Sequence, residues 1–126
     1  MMGEALPTVG RHMTKGLKDQ LRRELLGQVR TGVPATYKEL ADRLALAPPR
    51  TIHRVTEALE HLMDEDAAAG RPLLAAFAVS KARSGLPARG FFLKAQALGF
   101  FSGDPEGREA FEFHAQELRR ALRFHG

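Results

Sequence analysis

Residues 36–59, TYKELADRLALAPPRTIHRVTEAL, are the part of the sequence that decides the fold. They open with a capping box, in which the hydroxyl of Thr36 and the carboxylate of Glu39 each bond a free backbone donor at a helix start. Two adjacent prolines then mark a turn, because proline fits a turn or the first turn of a following helix. A second helix continues from Arg50. Two helices joined by a tight turn predict a helix-turn-helix over residues 36–69.

Hydrophobic periodicity predicts one further helix on each side of this segment. Apolar residues recur at every fourth position between residues 12 and 30, which is typical of an amphipathic helix. Asp104 as N-cap and Pro105 at the first helical position begin a C-terminal helix over residues 105–124. Residues 1–10 contain Gly and Pro with little periodicity and are expected to be a flexible lead-in.

Residues 72–92 complete the prediction of a winged helix. Residues 76–80 are apolar and β-compatible, so they predict a short strand. The basic loop 81–89 contains the turn signals Ser-Gly and Leu-Pro, and residues 90–92 return from it. A strand, a basic loop and a return segment after a helix-turn-helix follow the order of a winged helix. The sequence therefore predicts one mainly α domain over residues 11–126, winged helix-turn-helix-like, with a small β element and additional N- and C-terminal helices.

The composition argues against several classes of function. No cysteine is present, which removes disulfides, thiolate catalysis and cysteine-based zinc sites. No apolar run has the length of a signal peptide core or a membrane span, so we expect no membrane association and a cytoplasmic location. No serine-nucleophile motif or phosphate-binding glycine loop occurs, and the five histidines lack metal-ligand spacing. We expect a protein that is not an enzyme, with no cofactor and no metal.

The net charge of +4 is unevenly distributed. Residues 1–54 hold 10 basic and 5 acidic side chains, and residues 67–103 hold five basic ones and no acid. This distribution suits an anionic partner, and the second helix of a helix-turn-helix fits the DNA major groove. We therefore predict a non-enzymatic DNA-binding protein that reads duplex DNA through a recognition helix and a basic wing, with regulation of transcription as the expected role. The predicted contacts are Arg50, Thr51, His53 and Arg54 at base edges, Lys38 and Arg43 on the DNA backbone, and Lys81, Arg83 and Arg89 on the wing.

Two features favour an alternative, a winged-helix protein–protein interaction module without DNA binding. Residues 57–66 hold five acidic side chains on the recognition helix itself, where they would repel phosphate. Seven of the eight phenylalanines lie within residues 91–124. We expect four of them to complete the core: Phe91, Phe92, Phe100 and Phe111. The last helix carries a second apolar stripe, and this Phe-rich C-terminal region is a candidate homodimer contact.

Two resemblances rest on these residues. The order TYKELADRL, a helix ending in VTEAL, an apolar strand and a loop with glycine resembles the DNA-binding domain of the O6-alkylguanine alkyltransferases and the alkyltransferase-like proteins, over residues 33–92. The resemblance implies an arginine early in the recognition helix that fills the gap left by a flipped nucleotide. His53 takes that position here, with Arg54 beside it. The Pro-Cys-His-Arg and Pro-Trp-His-Arg signatures are absent, and without cysteine alkyl transfer is excluded.

The second resemblance is to a pattern in small uncharacterised bacterial proteins, PLxxAxxV followed by GLPxxGFF. Its residues here are Pro72, Leu73, Ala76, Val79, Gly85, Leu86, Pro87, Gly90, Phe91 and Phe92. The resemblance implies a winged-helix-like fold and brings no activity with it.

Overall fold

The computed structural model describes the backbone of residues 2–126 and the side chains of residues 16–126. The backbone of residues 2–10 is helical and belongs to the same helix as residues 12–30, and the flexibility predicted for residues 1–10 stays a prediction. The described residues form five α-helices and a small parallel sheet, which confirms a mainly α fold with a small β element. The elements are, in order, α1 (Met2–Thr31), β1 (Ala35–Thr36), α2 (Tyr37–Arg43), α3 (Thr51–Ala69), a 3-10 helix (Leu74–Phe77), β2 (Ala78–Val79), a 3-10 turn (Lys81–Arg83), α4 (Arg89–Ala97) and α5 (Arg108–His125).

The start of α2 confirms the predicted capping box. Thr36 Oγ1 accepts a hydrogen bond from the Glu39 backbone N–H at 3.1 Å, and Glu39 Oε1 accepts one from the Thr36 N–H at 2.8 Å. The predicted apolar face is also present, since Tyr37, Leu40 and Ala41 are buried. The local sequence thus fixes this helix at the predicted residue.

α3 packs on the core through most of the predicted face. Its residues Val55, Leu59, Leu62 and Met63 are buried as expected. Ile52 was expected on the same face but is 41% exposed, because it lies in the first turn and lines an open groove instead of the core. Gly70 ends the helix with a φ of 72°, the left-handed conformation that glycine adopts without strain.

A fully buried stretch of chain, residues 72–79, runs through the centre of the core, and we call it the central segment. Its middle part, Leu74–Phe77, is a 3-10 helix, so the predicted strand over residues 76–80 is shorter than expected and begins at Ala78. The strand pairs in parallel with β1, with Ala35 opposite Ala78 and Thr36 opposite Val79. Pairing between residues far apart in the chain, and not local propensity, therefore sets the strand.

Three polar side chains satisfy the backbone of the central segment. Asp66 Oδ2 of α3 accepts a hydrogen bond from the Leu74 N–H at 3.0 Å, and Glu117 Oε2 of α5 accepts one from the Leu73 N–H at 2.8 Å. His114 Nε2 lies 2.9 Å from the carbonyl oxygen of Ala76. All three side chains are buried. Because buried backbone groups need partners, α3 and α5 together hold the segment in place.

Hydrogen bonds and ion pairs hold the C-terminal end of α3 in place, although its acidic composition predicts fraying. Asp66 Oδ1 accepts a hydrogen bond from Arg71 Nε at 3.0 Å and lies 3.5 Å from Arg22 Nη1. Glu65 bonds Lys18 and also pairs with Arg22 at 2.7 Å. These bonds lower the pKa of Glu65, the bond from Lys18 being the largest cause. Cations of α1 and of the loop after α3 thus neutralise the acids that oppose the helix dipole.

The segment predicted to return from the wing is helical. Residues 90–92 belong to α4, and both Phe91 and Phe92 are buried, with ring centroids 5.2 Å apart. Successive residues of a strand point to opposite faces, so burying both against one core favours a helix. Among residues 2–126 the strands are β1 and β2, paired in parallel, so the winged-helix prediction is not confirmed.

The C-terminal helix begins later than predicted and buries different residues. Asp104 bonds the Glu106 N–H within a turn at 2.9 Å, and α5 starts at Arg108. Phe100 and Phe111, expected in the core, are 39% and 64% exposed. Phe101 and Phe113 pack in the core region instead, with ring centroids 5.2 Å apart. The reason is the register of α5, whose buried face runs through Ala110, His114, Glu117 and Ala121.

Candidate nucleic-acid interface

The start of α3 leaves backbone donors without a side-chain cap. The N-cap residue Arg50 has φ 63° and ψ 35°, a left-handed conformation that is uncommon outside glycine, and its side chain makes no capping bond. No acidic residue lies in the first turn of α3. The first backbone N–H groups of a helix have no intrahelical acceptor and carry the positive end of the helix dipole. This end of α3 therefore suits an anion.

Four predicted contact residues lie at this helix end. Arg50, His53 and Arg54 are exposed, and Thr51 is half-buried. Among the described side chains, no carboxylate lies within 4.0 Å of the charged nitrogens of Arg50 or Arg54. His53 Nε2 lies 3.7 Å from Glu57 Oε2. We call residues 50–54 the α3 tip.

A groove beside the α3 tip brings two further predicted cations together. It lies between the start of α2, the first turn of α3 and the chain after β2, and Lys38, Lys81 and Ile52 line it. The carboxylates of Glu39 and Asp42 line the same groove, and Lys38 Nζ pairs with Asp42 Oδ2 at 3.2 Å. Lys81 is exposed. Hydrophobic periodicity alone could not show that Ile52 lies here, because it placed that side chain in the core.

Glu39 is held in its charged form by the capping box. The hydrogen bond from the Thr36 backbone N–H is the largest of the causes that lower the pKa of Glu39. The negative charge of this groove is therefore fixed to the start of α2, where it also complements the helix dipole.

A backbone hydrogen bond joins the two sides of the basic loop after β2. The Ser80 N–H donates to the Leu86 carbonyl at 2.8 Å. Arg83 was predicted to contact phosphate, but its guanidinium points inward, donating to the carbonyl of Pro105 at 2.9 Å and to that of Pro87 at 3.2 Å. It also lies 5.7 Å from the centre of the Phe92 ring. Arg83 thus fastens the loop to the turn before α5, and its neighbours carry no sequence signal for this contact.

The remaining two predicted cations occupy different surroundings. Arg43 bonds the side chain of Gln28 and lies 3.8 Å from Glu24 Oε1, so it links α2 to α1. Arg89 is exposed at the first position of α4. Among the described side chains, no carboxylate lies within 4.0 Å of Arg89 or Lys81.

The outward side of α3 changes sign beyond its tip. Glu57, Glu60 and Asp64 are exposed, and helical geometry places them along the same side as His53. Lys94 Nζ pairs with Asp64 Oδ1 at 2.8 Å, so one of these charges is partly neutralised. The positive surface of α3 is therefore limited to its first turn.

A small apolar pocket separates α3 from the start of α4. Its volume is about 40 Å³, and its walls include Thr56, Met63 and Phe91. The Tyr37 hydroxyl oxygen accepts a hydrogen bond from the Ala88 N–H at 2.7 Å, and burial raises the pKa of Tyr37. Such a volume has room for only a few waters, which is far below the size of a small-molecule site.

Neither a protein-family model, a curated protein nor a solved structure matched this chain in the three comparisons. The two resemblances drawn from the sequence accordingly stay predictions. None of the helices in the described part of the chain combines the length and the apolar character needed to cross a membrane.

Proposed function

We propose that this protein binds duplex DNA without catalysing a reaction, and that the α3 tip is its principal contact. The observation that carries the proposal is the uncapped start of α3, where Arg50, His53 and Arg54 are exposed and no acid lies in the first turn. Free backbone donors and exposed cations at one helix end form an arrangement that holds phosphate or the polar edges of bases.

The charge pattern of α3 indicates how DNA would approach. Glu57 and Glu60 would repel phosphates if the helix lay lengthwise in a groove. The proposed contact is therefore end-on, with the α3 tip entering first. Lys38 and Lys81 beside the tip contact the flanking DNA backbone, and Arg89 lies along the same strand of phosphates.

Not every predicted contact residue has the same role in this proposal. Arg43 and Arg83 hold α2 and the loop after β2 in position through their bonds inside the protein. Regulation of transcription is the process that we propose, because a helix end at the base edges can distinguish one DNA sequence from another.

The test is fluorescence anisotropy of labelled duplex DNA over a salt series. Removing charge with Arg50→Ala/Arg54→Ala should lower affinity at low salt by about 10-fold or more and reduce the salt slope by about 2. The matched control is Arg23→Ala/Arg30→Ala, which removes the same charge from exposed positions on α1. Equal effects of the two double variants, or no DNA binding by the natural sequence at low salt, would overturn the proposal.

A protein-interaction module is the second candidate, and the exposed acids on α3 favour it. Replacing Glu57 and Glu60 by glutamine separates the two functions. If DNA binds at the α3 tip, the variant should bind DNA more tightly, because nearby repulsion is removed. If the protein is instead an interaction module whose acids contact a basic protein and which does not bind DNA, neither the natural sequence nor the variant should show salt-dependent DNA binding.

A further inference from the structure

The last helix carries an apolar strip that the core covers only in part. Phe111, Ala115, Leu118 and Leu122 follow one another at helical spacing and share one side of α5. Phe111 is 64% exposed and Leu122 is 39% exposed, while the two residues between them are half-buried. We call these four residues the α5 strip. A large exposed aromatic side chain in such a strip is typical of an interaction surface.

Charged side chains follow one edge of the α5 strip. At 100° per residue, Arg108, Glu112, Arg119 and Arg123 lie along the same edge, and all four are exposed. Among the described side chains, none of them has an oppositely charged partner within 4.0 Å. The acid lies in the first half of α5 and two of the arginines lie in the second half. The edge is therefore complementary to a reversed copy of itself.

We propose that α5 pairs antiparallel with α5 of a second copy of this chain around a twofold axis. With the axis between positions 116 and 117, Phe111 meets Leu122 of the second copy, and Ala115 meets its Leu118. The same register places Glu112 between Arg119 and Arg123 of the second copy, because like edges face each other in an antiparallel helix pair. A twofold interface repeats each of these contacts.

The charges decide the direction of pairing. A parallel pair around a twofold axis would place this edge on opposite sides of the two facing helices, so Glu112 would lie away from Arg119 and Arg123 of the second copy and the pairing would be lost. The antiparallel pair also places Arg108 at the C-terminal end of the second helix, where its charge complements the helix dipole and offsets its like charge with Arg123 of the second copy. The proposal does not rest on DNA binding, because the α3 tip contributes no residue to it.

Sedimentation equilibrium of the full chain tests the pairing through charge reversal. Glu112→Arg and the double variant Arg119→Glu/Arg123→Glu should each be monomeric at concentrations where the natural sequence is a dimer. An equimolar mixture of the two should form a heterodimer, because both edges then carry opposite charges. If the mixture stays monomeric while the natural sequence is a dimer, the proposed register is wrong.

A second pair of variants tests the apolar contact. Phe111→Ser should raise the dimer dissociation constant by about 100-fold or more, because each dimer loses two buried rings. Phe124→Ser is the matched control: Phe124 is 57% exposed but lies on the other side of α5, so its loss should leave the constant unchanged. Both positions are exposed, so neither change disturbs the core.

Two results would overturn the proposal. A natural sequence that stays monomeric at millimolar concentration would show that the α5 strip does not bind a second copy, and would leave a different protein as its occupant. A dimer that survives Phe111→Ser and dissociates with Phe124→Ser would show that another surface forms the contact.

Discussion

Replacing Asp66 by alanine tests whether one buried carboxylate holds the centre of the fold. Its oxygens accept hydrogen bonds from the Leu74 N–H and from Arg71 Nε, both at 3.0 Å, and Arg22 Nη1 lies 3.5 Å away. The side chain is fully buried. Water therefore cannot readily replace the carboxylate at Leu74, and the variant leaves that backbone donor without an acceptor.

The expected loss follows from these contacts. An unsatisfied buried N–H costs about 1–3 kcal/mol, and a lost hydrogen bond to a charged group costs about 1.5–3 kcal/mol. The side chains of Arg71 and Arg22 are 33% and 23% exposed, so solvent recovers part of the second cost. We expect Asp66→Ala to lower the free energy of unfolding by about 3 kcal/mol. Asp66→Asn should lose about half as much, because its amide oxygen can still accept from Leu74.

Urea denaturation followed by circular dichroism measures this difference. The control is Asp64→Ala on the same helix, where the side chain is 51% exposed and pairs with Lys94. An exposed pair of this kind contributes less than about 1 kcal/mol. If Asp66→Ala lowers the free energy of unfolding no more than Asp64→Ala does, the central segment does not depend on the buried carboxylate.

Three further changes test other parts of the structure. Thr36→Ala removes the capping box and should lower the free energy of unfolding by about 1 kcal/mol in urea; an unchanged midpoint would contradict this. Arg50→Gly should raise that free energy by about 1 kcal/mol, because glycine adopts φ 63° without strain, while weakening DNA binding in the anisotropy assay. Burial lowers the pKa of His114 from its usual 6.5, so the unfolded chain takes up a proton first and stability should fall as the pH drops below about 6.5. His114→Asn should reduce that pH dependence between about pH 7 and 5, and an unchanged slope in urea titrations would refute it.

Local signals in the sequence predicted the elements whose causes are local. The capping box of Thr36 and Glu39 placed the start of α2, and Gly70 marked the end of α3. Each signal acts through hydrogen bonds or backbone angles within a few residues, so no knowledge of the rest of the chain was needed.

The predicted wing is not confirmed, and the physical reason involves residues far apart in the chain. The apolar segment before the basic loop pairs with Ala35, which precedes it by more than 40 positions, and not with the residues that follow it. Phe91 and Phe92 fit a strand by propensity but form part of a helix, because both rings pack against the same core. Tertiary contacts therefore overrode local preference.

The candidate site also combines features that have local causes with features that depend on residues far along the chain. The exposure of Arg50, His53 and Arg54 followed from their positions off the apolar face of α3. The inward direction of Arg83 depends on the carbonyl of Pro105, 22 positions later, and no pattern in the sequence indicates that contact. The sequence identifies every basic residue, but only the folded chain decides which of them face solvent.

The central segment needs contacts from distant parts of the chain, so we expect those parts to fold together. The amides of Leu73 and Leu74 need acceptors from α5 and α3, and β2 needs β1 beside it. A fragment ending at Gly70 would retain α2 and α3 but would lose the buried stretch around which they pack. We therefore expect the helices near the α3 tip to unfold together with the C-terminal helix as one cooperative unit. In hydrogen exchange, the amides of Leu73 and Leu74 should open only with the whole molecule.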